Sequence, residues 1–426
     1  MTIYTQPDQN QWVNILQRPT MDYATLTQSV EEILQGVKAN GDQALLDYTQ
    51  RFDKVTLDRV QVSSEEMAMG IQQVPVALQQ AIRTAKENIE RFHQQQIRPV
   101  ELVETMPGVR CWQKGVGIEK VGLYVPGGTA PLFSSVLMLG VPAQLAGCRE
   151  IVLCTPPQAD GSVHPAVLFA AQLVGIKQVF KIGGAQAVAA MAYGTESVPA
   201  VYKIFGPGNQ YVTAAKQLVS QIGVAIDMPA GPSEVLVVAD QTAKPAFVAA
   251  DLLSQAEHGI DSQVVLVALE EGMVKATLEA IEEQLEALPR AAIARKALEN
   301  SPAVIVKNLS VALDLVNFYA PEHLILAMDD PMPFAEGIIN AGSVFLGHYT
   351  PESVGDYASG TNHTLPTNGF ARAFSGVNVD AFTKKITFQQ LSAAGLQQLG
   401  PTVEIMAAAE ALEAHKQAVS IRLKTL

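Results

Sequence analysis

From about residue 118, short β-branched runs alternate with stretches of helical periodicity. The runs are nearly continuous in apolar residues, as is typical of strands that helices cover on both faces. They read VGLYV, EIVLC, QVFKI, VYKIF and EVLVVAD. Strands that alternate with helices along a chain predict a parallel sheet.

A second series of the same kind follows, with strands expected at SQVVLVAL, AVIVKN, HLILAM and GSVFLG. Upstream, residues 21–53 and 63–96 have helical periodicity, and Gly41 suits a helix end. Residues 348–376 are rich in Gly, Ser, Asn and Pro and predict a long loop, which in a compact domain is usually functional or mobile. The last 30 residues predict a helix.

The pattern predicts an α/β protein with two Rossmann-like parallel-sheet domains, a short N-terminal segment and a helical C-terminal segment. Its length of 426 residues is consistent with two or three domains. We expect an N-terminal segment at 1–19, a discontinuous first domain at 20–117 and 239–377, a second domain at 118–238 and a C-terminal segment at 378–426.

Composition narrows the class of protein. Hydrophobic residues make up 48% and charged residues 17% of the chain, as in a well-buried globular enzyme. The net charge of −13 disfavours nucleic acid and anionic membranes as partners. The polar N-terminus does not resemble a signal peptide, and no run of about 18 apolar residues occurs. Three cysteines without CxxC spacing fit a reducing, cytoplasmic setting.

Glycine-rich turns follow three strands of the first series, at YVPGG, IGGAQ and FGPGN (124–128, 182–186 and 205–209). In open α/β sheets, ligands bind at the carboxyl ends of strands, and glycine lets a phosphate approach the backbone. Ordinary tight turns explain any one of them equally well, but three in succession favour a nucleotide crevice. Tyr124, Gln186 and Asn209 are the polar residues best placed to face it.

Four residues offer a possible metal site. Gln255 and His258 are three positions apart near a helix end and share one face. Asp356 in the long loop and His415 in the last helix would complete two nitrogen and two oxygen ligands. Zn²⁺ accepts such a set, and Mn²⁺ or Co²⁺ remain alternatives. The spacing alone leaves open that His258 and His415 are simply solvated.

Glu322 and His323 are candidates for acid/base chemistry. Histidine titrates near neutral pH and can take a proton from an alcohol, and a glutamate can activate water. Neighbours in an extended strand point to opposite faces, so both residues serve one site only if the backbone bends near Pro321. A solvent-facing pair is the alternative. A zinc hydrolase would use the same parts, although it needs no dinucleotide crevice.

Several blocks of the chain closely resemble the L-histidinol dehydrogenase family. They are VGLYVPGGTAPLFSSVLM, KIGGAQAVAAMAYGT, DMPAGPSEVLVVAD, SQAEHG, YAPEHL, GSVFLG, PESVGDYASGTNHTLPT and AEALEAHKQAV. The resemblance runs from about residue 20 to the end of the chain. It implies oxidation of L-histidinol to L-histidine by two NAD⁺, with one zinc ion per subunit. A dehydrogenase of another amino alcohol would look alike.

The resemblance also implies roles for individual residues. The zinc ligands would be Gln255, His258, Asp356 and His415, and the acid/base pair Glu322 and His323. Substrate would contact the four ligands, His323, Ser233, His363 and Glu410, and NAD would contact Tyr124, Gln186 and Asn209. The family is a homodimer whose C-terminal segments are exchanged, so His415 and Glu410 would complete the other subunit's site.

Overall fold

The computed structural model describes residues 1–19, 23–127, 131–229 and 231–426. Its strands are, in chain order, β1 Thr2–Thr5, β2 Leu102–Met106, β3 Val109–Gly117, β4 Lys120–Tyr124, β5 Glu150–Thr155, β6 Gln178–Lys181, β7 Lys203–Phe205, β8 Ala225–Ile226, β9 Glu234–Ala239, β10 Gln263–Ala268, β11 Pro302–Ile305, β12 His323–Ala327, β13 Ser343–Leu346 and β14 Thr383–Leu391. Its α-helices are α1 Trp12–Ile15, α2 Tyr23–Tyr48, α3 Ser64–Gln72, α4 Val76–Gln94, α5 Phe133–Leu145, α6 Pro165–Leu173, α7 Gly184–Tyr193, α8 Gln210–Ser220, α9 Pro245–Ala256, α10 Glu271–Leu285, α11 Ala291–Glu299, α12 Leu309–Tyr319, α13 Met332–Ala335, α14 Glu352–Tyr357, α15 Ala393–Ala409 and α16 Glu413–Leu423.

The larger sheet is wholly parallel, with strand order β1-β11-β10-β9-β12-β13. Its central strands β9 and β10, EVLVVA and QVVLVA, are buried along their whole length. Helices α9, α10 and α11 pack on one face, and α1 and α12 pack on the other. Coverage on both faces explains why these strands are continuous apolar runs.

The second sheet is also parallel, with strand order β6-β5-β4-β7-β8. Helices α3, α4, α5 and α6 cover one face, and α2, α7 and α8 cover the other. The expected α/β fold with two parallel sheets is therefore confirmed. Helix α2 does not end at Gly41 but kinks there, where φ is +52°.

A third sheet, which the sequence analysis did not predict, is antiparallel and has the order β14-β3-β2. Strand β2 is exposed throughout, and β14 is exposed beyond its first residue. The expected single C-terminal helix is instead two helices, α15 and α16, which pack on each other around a turn in which Ala411 has φ +57°. We call β2, β3, β14, α15 and α16 the arm, and the remainder the body.

The packing differs from the expected domain division in three places. Strand β1 is an edge strand of the six-stranded sheet, so residues 1–19 do not form a separate segment. Helices α2, α3 and α4 pack on the five-stranded sheet because their apolar faces complete its two cores. The expected boundary between residues 238 and 239 falls inside β9, which pairs only with strands of the six-stranded sheet.

The two parallel sheets meet through opposite ends of their strands. Glu322 and His323 lie at the amino end of β12, whereas Pro126 and Gly206 follow the carboxyl ends of β4 and β7. Glu322, Pro126 and Gly206 line one cavity of about 260 Å³. Loops from the carboxyl end of one sheet and the amino end of the other thus enclose the same space. Five of the predicted site residues line it, namely Asn209, Ser233, His258, Glu322 and His363.

Candidate active site between the two parallel sheets

Four polar side chains converge where α9 and α14 pack together. His258 follows α9, and Glu352 and Asp356 lie one turn apart on α14. One ligand atom from each of these three residues lies within 4.8 Å of the others. The side-chain amide of buried Gln255 lies 2.5 and 3.2 Å from the two carboxylate oxygens of Glu352. The structure thus brings together three of the four expected metal ligands and adds Glu352.

The donors in this cluster suit zinc, which accepts imidazole nitrogen and carboxylate oxygen and, less often, amide oxygen. Burial and the charge of Asp356, opposed by the charge of His323, raise the pKa of Glu352 to about 8. Crowded buried carboxylates are costly, and a bound dication would offset their charge. Without a cation, the Gln255 amide satisfies Glu352 only by turning its NH₂ group toward the carboxylate.

Glu322 and His323 reach the same site although they are neighbours in sequence. Ala320, with φ +54°, ends α12 in the left-handed conformation and turns the chain before Pro321. Glu322 Oε2 lies 3.5 Å from His323 Nδ1. His323 Nε2 lies 3.5 Å from Asp356 Oδ1. The bend that shared chemistry requires is therefore present, and it connects the acid/base pair to the metal cluster.

His323 is buried among carboxylates, and this sets its titration. Burial alone would lower the pKa of the imidazole, but the charges of Glu322 and Glu352 and the contact with Asp356 raise it well above its ordinary value. The same contact with His323 lowers the pKa of Asp356 against the effect of burial. An imidazole between carboxylate oxygens can accept and donate a proton during catalysis.

Ser233 and His363 line the cavity of about 260 Å³ together with His258 and Glu322. His363 is held from both ring nitrogens, with Nδ1 2.8 Å from the Asp356 backbone carbonyl oxygen and Nε2 3.0 Å from Ser135 Oγ. Burial lowers the pKa of His363, which favours the neutral ring. The cavity therefore combines neutral and charged polar groups around a volume suited to a small polar molecule.

The three predicted nucleotide-facing residues, Tyr124, Gln186 and Asn209, line a larger cavity of about 750 Å³. Tyr124 Oη accepts a hydrogen bond of 3.1 Å from the Gly184 backbone N–H, and burial raises the pKa of Tyr124 to about 12. Asn209 caps α8 by accepting from the Val212 N–H at 3.2 Å. The end of the first glycine-rich turn, Gly128, lies outside the described residues.

The two cavities adjoin, since Pro126 and Asn209 line both. The turn after β7, residues 206–209, lines the smaller cavity. A buried ion pair of Lys216 and Asp227 stabilises this turn. The Gly206 N–H donates to Asp227 Oδ2 at 2.8 Å, and its carbonyl accepts from Lys216 Nζ at 3.0 Å. Gly206 has φ +128°, and a side chain there would collide with the Tyr124 carbonyl.

Comparison with known proteins decides the family. A model described as histidinol dehydrogenase matches residues 16–423. The histidinol dehydrogenase of Bacteroides thetaiotaomicron is 60% identical over 426 residues, which are 100% of both chains. That of Pectobacterium atrosepticum is 53% identical over 415 residues, which are 97% of this chain and 93% of the relative.

The crystal structure of histidinol dehydrogenase from Elizabethkingia anophelis is similar to this chain with a TM-score of 0.97. The two are 53% identical, and the similarity covers 100% of this chain and 98% of that one.

The chain belongs to the histidinol dehydrogenase family.

Membership makes the chain an oxidoreductase of histidine biosynthesis and confirms the resemblance found in the sequence. Among the described residues, no helix is both long enough and apolar enough to cross a membrane.

Two residues predicted for the histidinol dehydrogenase site lie apart from it in this chain. Glu410 follows α15 and His415 lies on α16, and both are exposed on the arm. Neither lines the cavity that contains Glu322, and His415 is not in the cluster of His258 and its neighbours. Their roles as ligand and substrate contact stay predictions that require a second subunit.

Two acidic residues near the site were not predicted from the sequence. Glu352 lies four positions before Asp356, and this spacing on a helix was a signal that the loop-like composition of the segment obscured. Asp53 lines the larger cavity beside Phe52, and its Oδ2 is buried without a hydrogen-bond partner in the described part of the chain. An unpartnered buried carboxylate oxygen suits a ligand hydroxyl, such as that of a ribose.

Proposed function

We propose that this histidinol dehydrogenase is NAD- and zinc-dependent and oxidises L-histidinol to L-histidine in two steps through bound L-histidinal. The position of His323 carries the proposal, because its ring lies between Glu322 and Asp356, where the acid/base pair meets the cluster of donors suited to zinc. A proton acceptor, a carboxylate for water and a cation-binding cluster lie within reach of one small substrate.

The residues proposed to hold zinc are Gln255, His258, Asp356 and His415 of the partner subunit. Three of them lie together in this chain, and the fourth is exposed on the arm, where another subunit can be reached. Zinc, when bound, positions the imidazole and amine of the substrate as a Lewis acid. Ser233, His363 and the partner's Glu410 complete the proposed substrate contacts.

His323 is the proposed general base in both oxidation steps. Its Nδ1 lies 3.2 Å from the Glu234 carbonyl oxygen, and an N–H at Nδ1 donating there leaves Nε2 free to accept the alcohol proton. The carboxylates that raise its pKa are those around the metal cluster. A dication bound by Asp356 beside Glu322 and Glu352 would offset part of this negative charge, and the pKa of His323 would then fall toward the range in which the ring accepts a proton.

Glu322 is the proposed base for the water that adds to the aldehyde. Its Oε2 accepts a hydrogen bond of 2.8 Å from the Glu234 N–H, and this contact orients the carboxylate toward the cavity that it lines. It takes one proton from water as the C–O bond forms, and His323 returns the proton gained in the first step to the aldehyde oxygen, which yields the hydrate. His323 then accepts a hydroxyl proton of the hydrate in the second oxidation.

NAD is proposed to occupy the larger cavity, lined by Tyr124, Gln186 and Asn209, and accepts one hydride in each step. Because this cavity adjoins the smaller one, a nicotinamide ring can face the substrate carbon. The unpartnered Oδ2 of Asp53 and the exposed ring of Phe52 offer contacts to a ribose and a base. The glycine-rich sequences after β4, β6 and β7 would let a pyrophosphate approach the backbone.

The test is the number of NADH molecules formed per L-histidinol consumed, before and after metal removal by EDTA. We expect about two NADH per substrate, because a four-electron oxidation fills two hydride acceptors. EDTA should abolish turnover, and added Zn²⁺ should restore it. No NADH from metal-replete protein would reject L-histidinol, and assays with other amino alcohols and then with hydrolase substrates would follow.

A further inference from the structure

A buried network connects the N-terminal segment to the acid/base pair. The Arg18 guanidinium forms a two-pronged contact with Glu234, from Nε to Oε2 and from Nη2 to Oε1 at 2.8 Å. Nη2 also donates to the Tyr319 carbonyl at 2.8 Å, and the guanidinium lies 3.9 Å from the centre of the Tyr319 ring. Planar pairing and ring stacking together use features that lysine lacks.

The network has further buried members. Tyr319 Oη lies 2.9 Å from Gln263 Oε1 and 3.3 Å from Glu234 Oε2. The Gln263 amide NH₂ donates to the Gln17 carbonyl at 2.9 Å. Glu234, Gln263 and Tyr319 are each at most 2% exposed, so these contacts exclude water. The amino ends of β9 and β10, the end of α12 and the segment at Arg18 are thereby joined.

The backbone of Glu234 meets the acid/base pair directly. Its N–H donates to Glu322 Oε2 at 2.8 Å, and its carbonyl oxygen lies 3.2 Å from His323 Nδ1. One residue therefore orients both members of the pair through its main chain, while its side chain is held by Arg18 and Tyr319. A shift of the amino end of β9 would move both acid/base groups at once.

We propose that Arg18, Glu234 and Tyr319 form a positioning network that fixes the main chain at Glu234 and thereby aims Glu322 and His323 at the substrate. This inference rests on the proposed function of that pair. Arg18 and Tyr319 are positioning residues, since they act through Glu234 and do not line the cavity of about 260 Å³. A displacement of about 1 Å in a catalytic group, caused by a change far from the reacting atoms, can lower the rate roughly 100-fold.

The charge of Arg18 is essential to the network because Glu234 is buried. Burial raises the pKa of Glu234, and the Arg18 charge opposes that rise. Without the guanidinium, the carboxylate must either take up a proton or draw in water, and the strand end has to rearrange. We therefore expect substitutions of Arg18 to lower turnover although the contacts to substrate and zinc are retained.

The test compares Arg18→Met, Arg18→Lys and Tyr319→Phe with wild-type enzyme. We expect Arg18→Met to lower kcat with L-histidinol on the order of 10- to 100-fold, as loss of an orienting contact does. KM and zinc content should stay within about threefold of wild type, because the contacts to substrate and metal remain. Arg18→Lys should recover part of kcat, and Tyr319→Phe should have a smaller effect of the same kind.

The matched control is Arg295→Met, which removes an exposed ion pair with Glu282 and should leave kcat unchanged. If Arg18→Met fails to fold, Tyr319→Phe decides, since it deletes only one hydroxyl. Unchanged kcat in the folded variants, or a rise in KM or loss of zinc in place of the kcat effect, would overturn the proposal.

A second readout does not depend on activity. Crystal structures of wild type and Arg18→Lys should show the Glu322 carboxylate and the His323 ring displaced relative to the six-stranded sheet. Superimposable side chains would overturn the positioning network whatever the kinetics. Wild-type protein that forms no NADH from L-histidinol would instead refute the proposed function, and the crystal structures would still decide whether Arg18 positions the pair.

Discussion

The body and the arm bury their apolar residues to very different extents. Strands β9, β10 and β12 of the body are buried along their whole length. In the arm, Leu102, Val103 and Phe388 are exposed, although Phe388 stacks on Trp112 at 5.3 Å. Contiguous exposed apolar side chains mark a surface that another protein covers. The central strands of the body thus bury their apolar side chains within one chain, whereas these strands of the arm do not.

The predicted site residues divide along the same line. The acid/base pair, three expected ligands and the nucleotide-facing residues belong to the body, but Glu410 and His415 belong to the arm. In the proposed dimer, the surface that lacks a cover and the site that lacks its last groups are completed by the same partner. Binding of two subunits and assembly of the site would then be one event.

The sharpest test of this division is His323→Asn in the body. We expect kcat with L-histidinol to fall roughly 100- to 10,000-fold, because a general base contributes about this much. Stopped-flow or steady-state NADH absorbance measures this loss of kcat.

His415→Asn in the arm should lower zinc content, which metal analysis detects.

Mixing these two inactive variants tests whether the arm serves the other subunit. After subunit exchange, each heterodimer should contain one intact site, so about a quarter of all sites recover at a 1:1 ratio. No recovery after verified exchange would show that body and arm of one chain form the same site.

Stability should separate the regions next. Lys216→Met breaks the buried ion pair with Asp227 and should lower the free energy of unfolding by about 3–5 kcal/mol. Lys385→Met removes an exposed pair of 2.9 Å with Asp380 at the start of the arm and should cost less than about 1 kcal/mol. Urea unfolding measures both, and equal losses would contradict the contrast between body and arm.

Within the body, Glu322→Gln should distinguish the two oxidation steps. Turnover of L-histidinal should fall on the order of 100-fold, while hydride transfer from L-histidinol falls much less, because only the aldehyde needs activated water. Single-turnover NADH formation from each substrate provides the comparison. Equal losses in both steps would remove the proposed role of Glu322.

The smallest effect is expected from the surface of the arm. Phe388→Ser should weaken self-association about tenfold. A fully buried aromatic side chain contributes roughly 1.5–3 kcal/mol, and the lower end applies because Phe388 is already partly buried in one chain. Sedimentation equilibrium measures the dissociation constant, and Val76→Ser at the exposed first position of α4 in the body is the control. A dimer unaffected by Phe388→Ser would place the interface elsewhere.

The body was largely predictable because its strands are covered on both faces. Runs such as EVLVVA and QVVLVA cannot be mistaken for solvated segments. In the other sheet, the glycine-rich turns after β4, β6 and β7 mark the carboxyl end of the strands. The meeting of carboxyl strand ends of one sheet with the amino end of a strand of the other was not predictable, since it depends on how the two sheets pack. Nor could the pattern assign α2 to the five-stranded sheet, because an amphipathic helix does not specify its partner.

The arm escaped prediction for the opposite reason. Strands LVETM and TKKITFQQL face solvent within one chain, and their apolar and polar positions do not follow the burial that defines a core. Glu352 was missed because a Gly- and Pro-rich segment contains a short helix, α14. Hydrophobic patterns report the burial that a chain achieves alone, and neither the exposed arm strands nor a short polar helix produces such a pattern.

The contact between Arg18 and Glu234 also sets an order of events during synthesis. Arg18 leaves the ribosome 216 residues before Glu234 and 301 residues before Tyr319. At about 5–20 residues per second, the arginine waits roughly 15–60 s for its last partner. A nascent chain can build the five-stranded sheet in that interval. Glu322 and His323 are synthesised directly after α12, so the acid/base pair and the last member of the network that aligns it emerge together. The nascent chain therefore has no aligned acid/base pair until nearly three quarters of it has been synthesised.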